Sequence, residues 1–324
     1  MTKLERKIIT SIPIAFILNK SKRWYLPGFE GVPLYDVIRF FYRQVKTVGL
    51  NERASAIAFN FIMAIPPSFL FLFTLIPNLP FIKKKEIFKQ LSLIIKDIIP
   101  AEGYNVTIIS FIEKTFFKTQ VLGLLSFGLL LALFFASNGM MGLMRSFNKN
   151  YHGFQRRIGL HDRWIAIRLT VLIFGLVLGC LVLLITQGVV LKWFGLHSNF
   201  WLQLIAYLRW LVIIALVYYS IAFIYKYAPA VHKKWKLVSP GTILATFLCL
   251  VATLGFSSFV NSFGSYNALY GSIGAIIVLM ALVFINSLVL LIGFELNVSI
   301  KTLKSRAEQR QAREEQELAR QKNT

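Results

Sequence analysis

Four asparagines, Asn60, Asn138, Asn286 and Asn297, stand within or at the ends of apolar runs of this 324-residue chain, together with the carboxylate Glu295. Polar groups are expensive in such surroundings and are kept there for helix contacts or for binding. An asparagine side chain offers two amide donors and a carbonyl acceptor, so it can bond a neighbouring helix or face a polar solute. The chemistry open to this set is therefore recognition and passage of a polar group rather than bond-breaking. Asn60, Asn138, Asn286 and Asn297 are the candidate lining of a polar transport cavity. Glu295 has two readings: one half of an ion pair with Arg53, or a carboxylate that titrates during transport.

Spacing sharpens the set. Asn286, Gly293 and Asn297 are seven and eleven positions apart, which brings them within about 20° of one another on a helix. They form a small, polar stripe suited to a helix contact or a cavity wall. Glu295 points to roughly the other side of the same helix. Arg53, Asn60 and Pro67 recur by sevens and also share a face. The pair Pro66-Pro67 removes two backbone donors from the middle of that segment, freeing carbonyls that something must satisfy. Ser137-Asn138-Gly139 with Gly142, and Gly175 with Gly179, are small-residue patterns that let helices approach closely.

The residues that catalysis or metal binding would need are dispersed. His152, His161, His197 and His232 show no ligand spacing, and the acids are spread along the chain, four of them between 78 and 119. Metal-dependent phosphodiester cleavage wants such groups clustered. Cys180 and Cys249 each lie in an apolar run without a metal-ligating neighbour, and no phosphate-cradling glycine loop or nucleophile elbow is present. The expectation is no catalytic residue, no metal, no cofactor and no enzyme activity.

The elements that must position these residues follow from composition. Hydrophobic residues make up 56 % and charged residues 15 %, against about 25 % charged in soluble proteins. A hydrocarbon core about 30 Å thick needs about 20 apolar residues as helix. Six segments qualify, 54–77, 120–144, 167–191, 207–225, 237–260 and 272–298. The expected fold is an all-α membrane protein, a bundle of six transmembrane helices. Residues 1–53 precede it as cytoplasmic and interfacial helices, and 299–324 follow as a charged tail, helical and solvated or disordered. In the 34–48 stretch, Val37, Ile38, Phe41, Tyr42 and Val45 alternate with Arg39, Arg43 and Lys46 at helical period. That pattern predicts an interfacial helix. The long 78–119 connection shows helical spacing of its own, broken at Pro100 and Gly103, and reads as an extracytoplasmic amphipathic hairpin that caps the bundle or acts as a lid.

Lysine and arginine number twenty-six on the side of both termini against eight on the other, which places both termini in the cytoplasm. The net charge of +22 is read the same way. Basic loops set orientation and meet anionic headgroups, so the expected partners are membrane lipids. No nucleic acid is expected, because no basic segment carries the aromatic spacing of a nucleic-acid module. No motif specifies a homo-oligomer or a particular envelope partner.

Several motifs then fall together in order. Arg53-Ala-Ser-Ala-Ile-Ala-Phe opens the first span, and Asn148 with Tyr151 follow the second. Tyr227-Ala-Pro229, Trp235 and Pro240-Gly241 lead into the fifth, Tyr270-Gly271-Ser-Ile-Gly274 opens the sixth, and Gly293-Phe-Glu295-Leu-Asn297 closes it. Over about residues 35 to 300 this combination resembles the YihY/BrkB family of bacterial inner-membrane proteins. Pro229, Pro240, Gly241, Tyr270, Gly271 and Gly293 are the structural positions of the resemblance. The sequence departs from the family at Phe294, where alanine is common, and at Asn60, where a small hydroxyl residue is common. The resemblance implies a six-helix inner-membrane protein with cytoplasmic termini and no settled activity, since members carry the conflicting labels of ribonuclease BN, virulence factor and envelope-lipid transporter. Transport of a lipid or other amphipathic or anionic envelope component is the leading function. A structural scaffold that binds partners through its basic cytoplasmic regions is the alternative, and a ribonuclease ranks last.

Overall fold

A chain this apolar must satisfy its backbone donors and acceptors within each segment, which leaves the helix as its local structure. The computed structural model describes residues 20–75, 122–148, 159–193, 199–231, 234–262 and 265–322, with the pairs 88–89, 92–93, 95–96, 105–106 and 109–110 and residue 113. Seven helices and no β-strand are present among these residues: α1 Leu34–Thr47, α2 Leu50–Leu75, α3 Leu122–Phe147, α4 Gly159–Trp193, α5 Asn199–Tyr227, α6 Pro240–Ser262 and α7 Ser265–Lys322. The expected 78–119 hairpin falls almost wholly outside the described residues, as do Tyr151, His152, His197 and His232. Tyr270 and Gly271 lie in the first turns of α7, with side chains outside the described set.

Five helices contain segments long and apolar enough to cross a membrane, within Leu129–Phe147, Gly159–Leu184, Leu208–Tyr227, Pro240–Phe259 and Ile277–Leu318. The remaining span expected from sequence corresponds to α2, which is helical over its 26 residues but whose side chains are described only to Ser68. Each of these six helices packs on the next, and α7 returns to α2, so they close into a ring; α1 packs on α7. The first turns of α2, α4 and α6 and the last turns of α3 and α5 share one hydrophobic core with the middle of α7. Neighbours therefore run antiparallel, and this core lies at the end of the ring where the basic connections gather.

Inside and outside faces differ by size. On α6, Gly241, Thr242, Ala245, Thr246 and Cys249 are buried, while Ile243, Phe247, Val251 and Leu254 are exposed on the opposite face. Small residues permit close backbone approach, and large ones meet lipid, which is as apolar as they are. The limit of this rule is reached at Gly241 and Gly293. A Cβ on Gly241 would overlap the Gly293 carbonyl oxygen, and one on Gly293 would sit 2.6 Å from the Gly241 oxygen and 2.7 Å from the Tyr225 hydroxyl. Helices α5, α6 and α7 converge there with no room for a methyl group. Gly175 and Gly179 behave otherwise: a Cβ on either meets nothing among the described residues, so their four-residue spacing is not a packing face here.

Helix ends follow local chemistry. Pro33 precedes α1, and Gly49, at φ 66°, takes the left-handed conformation that separates α1 from α2. Helix α6 begins at Pro240, three residues after the apolar run does. Proline is suited to the first helical turn because its missing donor is one that would have no intrahelical partner. Helix α7 does not stop where its apolar segment stops, and the charged tail continues it to a total of 58 residues.

Replacing Gly241 or Gly293 with alanine is expected to cost about 3 kcal/mol or to prevent assembly, since backbone rather than a flexible side chain blocks the methyl group. Gly175→Ala should leave the thermal midpoint of detergent-purified protein unchanged. Melting curves of the three variants check the contrast, and equal midpoints would refute the close-approach account.

Candidate functional site

The ring is closed by an ion pair. Arg53, in the first turn of α2, donates from Nη1 to Glu295 Oε1 of α7 at 2.8 Å, and its Nη2 donates to the Ser146 carbonyl near the end of α3. Both partners are buried, Arg53 at 5 % exposure and Glu295 at 0 %. Two charges leave water at considerable cost, which only good geometry and further hydrogen bonds offset. The third helix supplies one such bond here.

Beside the pair, Phe294 lies flat on Phe147, with ring centroids 3.9 Å apart, and stacks on Trp235 at 5.3 Å. Tyr225 meets Phe294 edge-on at 6.1 Å, and its hydroxyl donates to the Leu290 carbonyl. These four rings come from α3, α5, α7 and the connection before α6. All four are buried, as are Arg53 and Glu295. Residue-by-residue reading did not find this cluster, because its members are far apart in sequence and each is an ordinary apolar residue in its own segment. The one available signal was Phe294 itself, a bulky ring where the resembling family commonly has alanine.

The stripe on α7 faces α6 along its length. Asn286 Nδ2 reaches Thr253 Oγ1 at 3.4 Å and the Leu282 carbonyl at 3.0 Å. Gly293 makes the backbone contact with Gly241. Asn297 Oδ1 accepts from the Gly241 amide at 2.9 Å, and its Nδ2 donates to Ser239 Oγ at 2.9 Å. Ser239 also accepts from the Thr242 amide at 3.2 Å, as an N-cap side chain does. The start of α6 is thus capped by its own serine and by an asparagine from α7.

The other two asparagines sit elsewhere. Asn60 lies at the α2–α3 contact, where a Cβ on Gly142 would be 2.9 Å from its Nδ2, and it donates to its own helix at the Ala56 carbonyl, 2.8 Å away. Asn138 accepts a hydrogen bond from Arg163 of α4, whose guanidinium also lies 5.2 Å from the Phe134 ring centre. The structure therefore brings Arg53 to Glu295, and Asn297 to Gly241 and Gly293, while Asn60, Asn138 and Asn286 each occupy a different helix contact. Of the remaining motif positions, Pro229 is buried in the connection after α5, where Asn148 Oδ1 accepts from the Ala230 amide at 2.8 Å. Among the described residues no group of three or more His, Cys, Asp or Glu side chains is placed to hold a metal ion.

Beyond the ring, Glu30 joins the segment before α1 to α7. It pairs with Lys301 and, at 3.3 Å, with Lys304. Burial alone would raise its carboxyl, but the hydrogen bonds and charges of the two lysines outweigh that and hold it below its ordinary value.

An all-helical ring of long apolar helices, closed by a buried ion pair and polar helix contacts, is a polytopic membrane protein. The family model described as "Virulence factor BrkB" matches residues 41–319, and the chain belongs to that family. A protein of Bacillus subtilis (strain 168) with the ribonuclease-like name YfkH is 29 % identical over 252 residues, 76 % of this chain and 88 % of the relative. A UPF0761 membrane protein of Tolumonas auensis (strain DSM 9187 / NBRC 110442 / TA 4) is 27 % identical over 305 residues, 90 % of this chain and 94 % of the relative. No solved structure matches.

Arg53→Met or Glu295→Gln alone should destabilise the protein by about 3–5 kcal/mol, because each leaves the other group buried without its ion-pair partner. The double variant should recover a large part of that loss. Denaturation of the three purified variants measures this, and a double variant no better than the worse single one would show that the pair is not coupled.

The Glu30 contact carries a pH signature. Its carboxyl is lowered in the folded protein, so its contribution is present above the ordinary carboxylate value of about 4.3 and is lost as pH falls through the lowered value. The lysines are about 40 % exposed, and solvent screening limits the effect to about 1 kcal/mol. Glu30→Gln should therefore lower the melting midpoint at neutral pH and match the native protein in acid. A difference that persists unchanged in acid would exclude the ion pair as its source.

Proposed function

We propose that the protein carries a lipid, or another amphipathic and anionic envelope component, across the bacterial cytoplasmic membrane. It crosses six times, counting α2, with both termini in the cytoplasm. The observation that carries this reading is a gap in the hydrogen-bond ladder of α2. Pro66 and Pro67 lie inside a continuous helix, so the Ile62 and Met63 carbonyls lack intrahelical donors part-way through a wall of the ring. Carbonyls left without donors at membrane depth are tolerated where they are buried in protein or face a polar path, and transporters commonly build substrate sites from such groups. Asn60 precedes the break by six residues on the same helix. The twenty-six basic residues of the cytoplasmic side suit an anionic cargo.

The second reading, a scaffold that grips partners with its tail, draws on one observation: α7 runs on past the ring with its side chains exposed from Ser305 to Leu318.

Reconstituted protein should speed the exchange of fluorescent phospholipid between leaflets, read by dithionite quenching. Pro66→Ala/Pro67→Ala should slow exchange about tenfold while the fold survives, since alanine restores the helical ladder. Truncation after Lys304 should leave the rate within about twofold under the transport reading, whereas a scaffold would lose its cellular phenotype. Exchange no faster than in protein-free vesicles would overturn transport.

A further inference from the structure

A cleft of about 590 Å³ opens where α7 leaves the ring, lined by Lys234, Lys236, Lys301 and Lys304 with the carboxylates Glu30 and Glu308. It adjoins a smaller cavity of about 60 Å³ that shares Glu30, Lys236 and Lys301 and is backed by Ser239, Pro240 and Asn297. Four ammonium groups thus face two carboxylates across one concave surface. Glu30 is already engaged with Lys301 and Lys304, and Glu308 reaches Lys304 only at 3.8 Å, along the exposed side of α7. Lys234 and Lys236, on the opposite wall, have no carboxylate partner among the described residues. Lys234 lies 5.0 Å from the Tyr227 ring centre.

Gathering like charges costs free energy through mutual repulsion, most of all where water is partly excluded. The backbone that delivers Glu30 is also held in an unusual state. Glu30 has φ 51°, between Gly28 at φ 89° and Gly31 at φ 81°, and a Cβ on Gly28 would come within 2.9 Å of the Pro240 ring. A non-glycine residue in the left-handed region persists when its surroundings over-determine it, and such residues cluster at ligand clamps. Here the strained residue is the counter-ion of the lysine cluster.

We propose that this cleft is a phosphate-binding site, in which Lys234 and Lys236 take the phosphate oxygens while Glu30 neutralises Lys301 and Lys304 on the facing wall. Lysine binds phosphate as a flexible point charge and needs no fixed fork geometry. The cleft stands where α6 begins and just past the last buried turn of α7. The phosphate is that of a phosphomonoester lipid headgroup or a free phosphate. The site goes beyond the transport reading, because a scaffold at the membrane surface would bear it equally.

Full-length protein in neutral detergent is titrated calorimetrically with water-soluble dihexanoyl phosphatidic acid and with inorganic phosphate. Dihexanoyl phosphatidylcholine serves as the zwitterionic control. The native protein should bind phosphate-bearing ligand, and Lys234→Gln/Lys236→Gln should weaken it about tenfold or more without moving the melting midpoint, since both side chains are exposed. Glu30→Gln should keep binding or tighten it by up to about threefold, because it removes the negative charge that competes for the lysines. Phosphatidic acid binding without inorganic phosphate assigns the site to a lipid headgroup, and equal binding of both assigns it to free phosphate. Absence of binding by either, or a double lysine variant within about twofold of native, overturns the site. A failed lipid-exchange assay with binding intact would remove transport and leave the site standing.

Discussion

The contact between the α6 and α7 backbones at Gly241 and Gly293 is the constraint on which the rest of the structure depends. It sets how close the two helices come, and so which turns of α7 face which neighbours. With Gly293 fixed against α6, the polar stripe Asn286–Gly293–Asn297 must follow along α6, and Glu295 must turn toward α2. The Tyr225 hydroxyl fills the remaining corner and ties α5 to the same point. A helix pair held apart by even one methyl group would misplace the carboxylate, and the ring would lose the contact that joins its last member to its first.

Closing a ring of antiparallel helices with an ion pair is a different solution from closing it with packing alone. In lipid the hydrophobic effect does not draw helices together, so packing of small residues and polar contacts must do so. Four of the ring's six seams carry one. Asn60 lies against Gly142 between α2 and α3, Arg163 holds Asn138 between α3 and α4, Asn286 meets Thr253 between α6 and α7, and Arg53 meets Glu295 between α7 and α2. Phe294 and Phe147, next in sequence to Glu295 and Ser146, stack beside the seam that the ion pair closes.

Helical class, five of the long apolar helices and the facing of the α7 stripe were legible in the residues, because apolar length and helical period are local properties. The angular separation of Glu295 from Asn286, Gly293 and Asn297 follows from the helix repeat alone, and in the fold it becomes contact with two different helices. What local pattern did not contain was partnership across distance. Nothing near Asn138 points to Arg163, and nothing near Glu30 points to Lys301, more than two hundred residues on. Small-residue spacing also proved ambiguous, since Gly241 and Gly293 are buried in a helix contact while Gly175 and Gly179 face open space. A four-residue glycine pattern marks a surface that permits approach, and a second helix must be there to use it.

Helix α7 runs unbroken from Ser265 to Lys322, with the glycine contact and Glu295 in its interior and the lysine cleft just beyond. The stretch from Lys301 to Lys322 projects about 33 Å as α-helix. A rod of that length is a lever whose fulcrum is Gly293. Glu295, Asn297, Lys301 and Lys304 stand at fixed spacing along that rod. The polar seam, the Glu295 half of the ion pair and one wall of the basic cleft therefore share a single uninterrupted backbone.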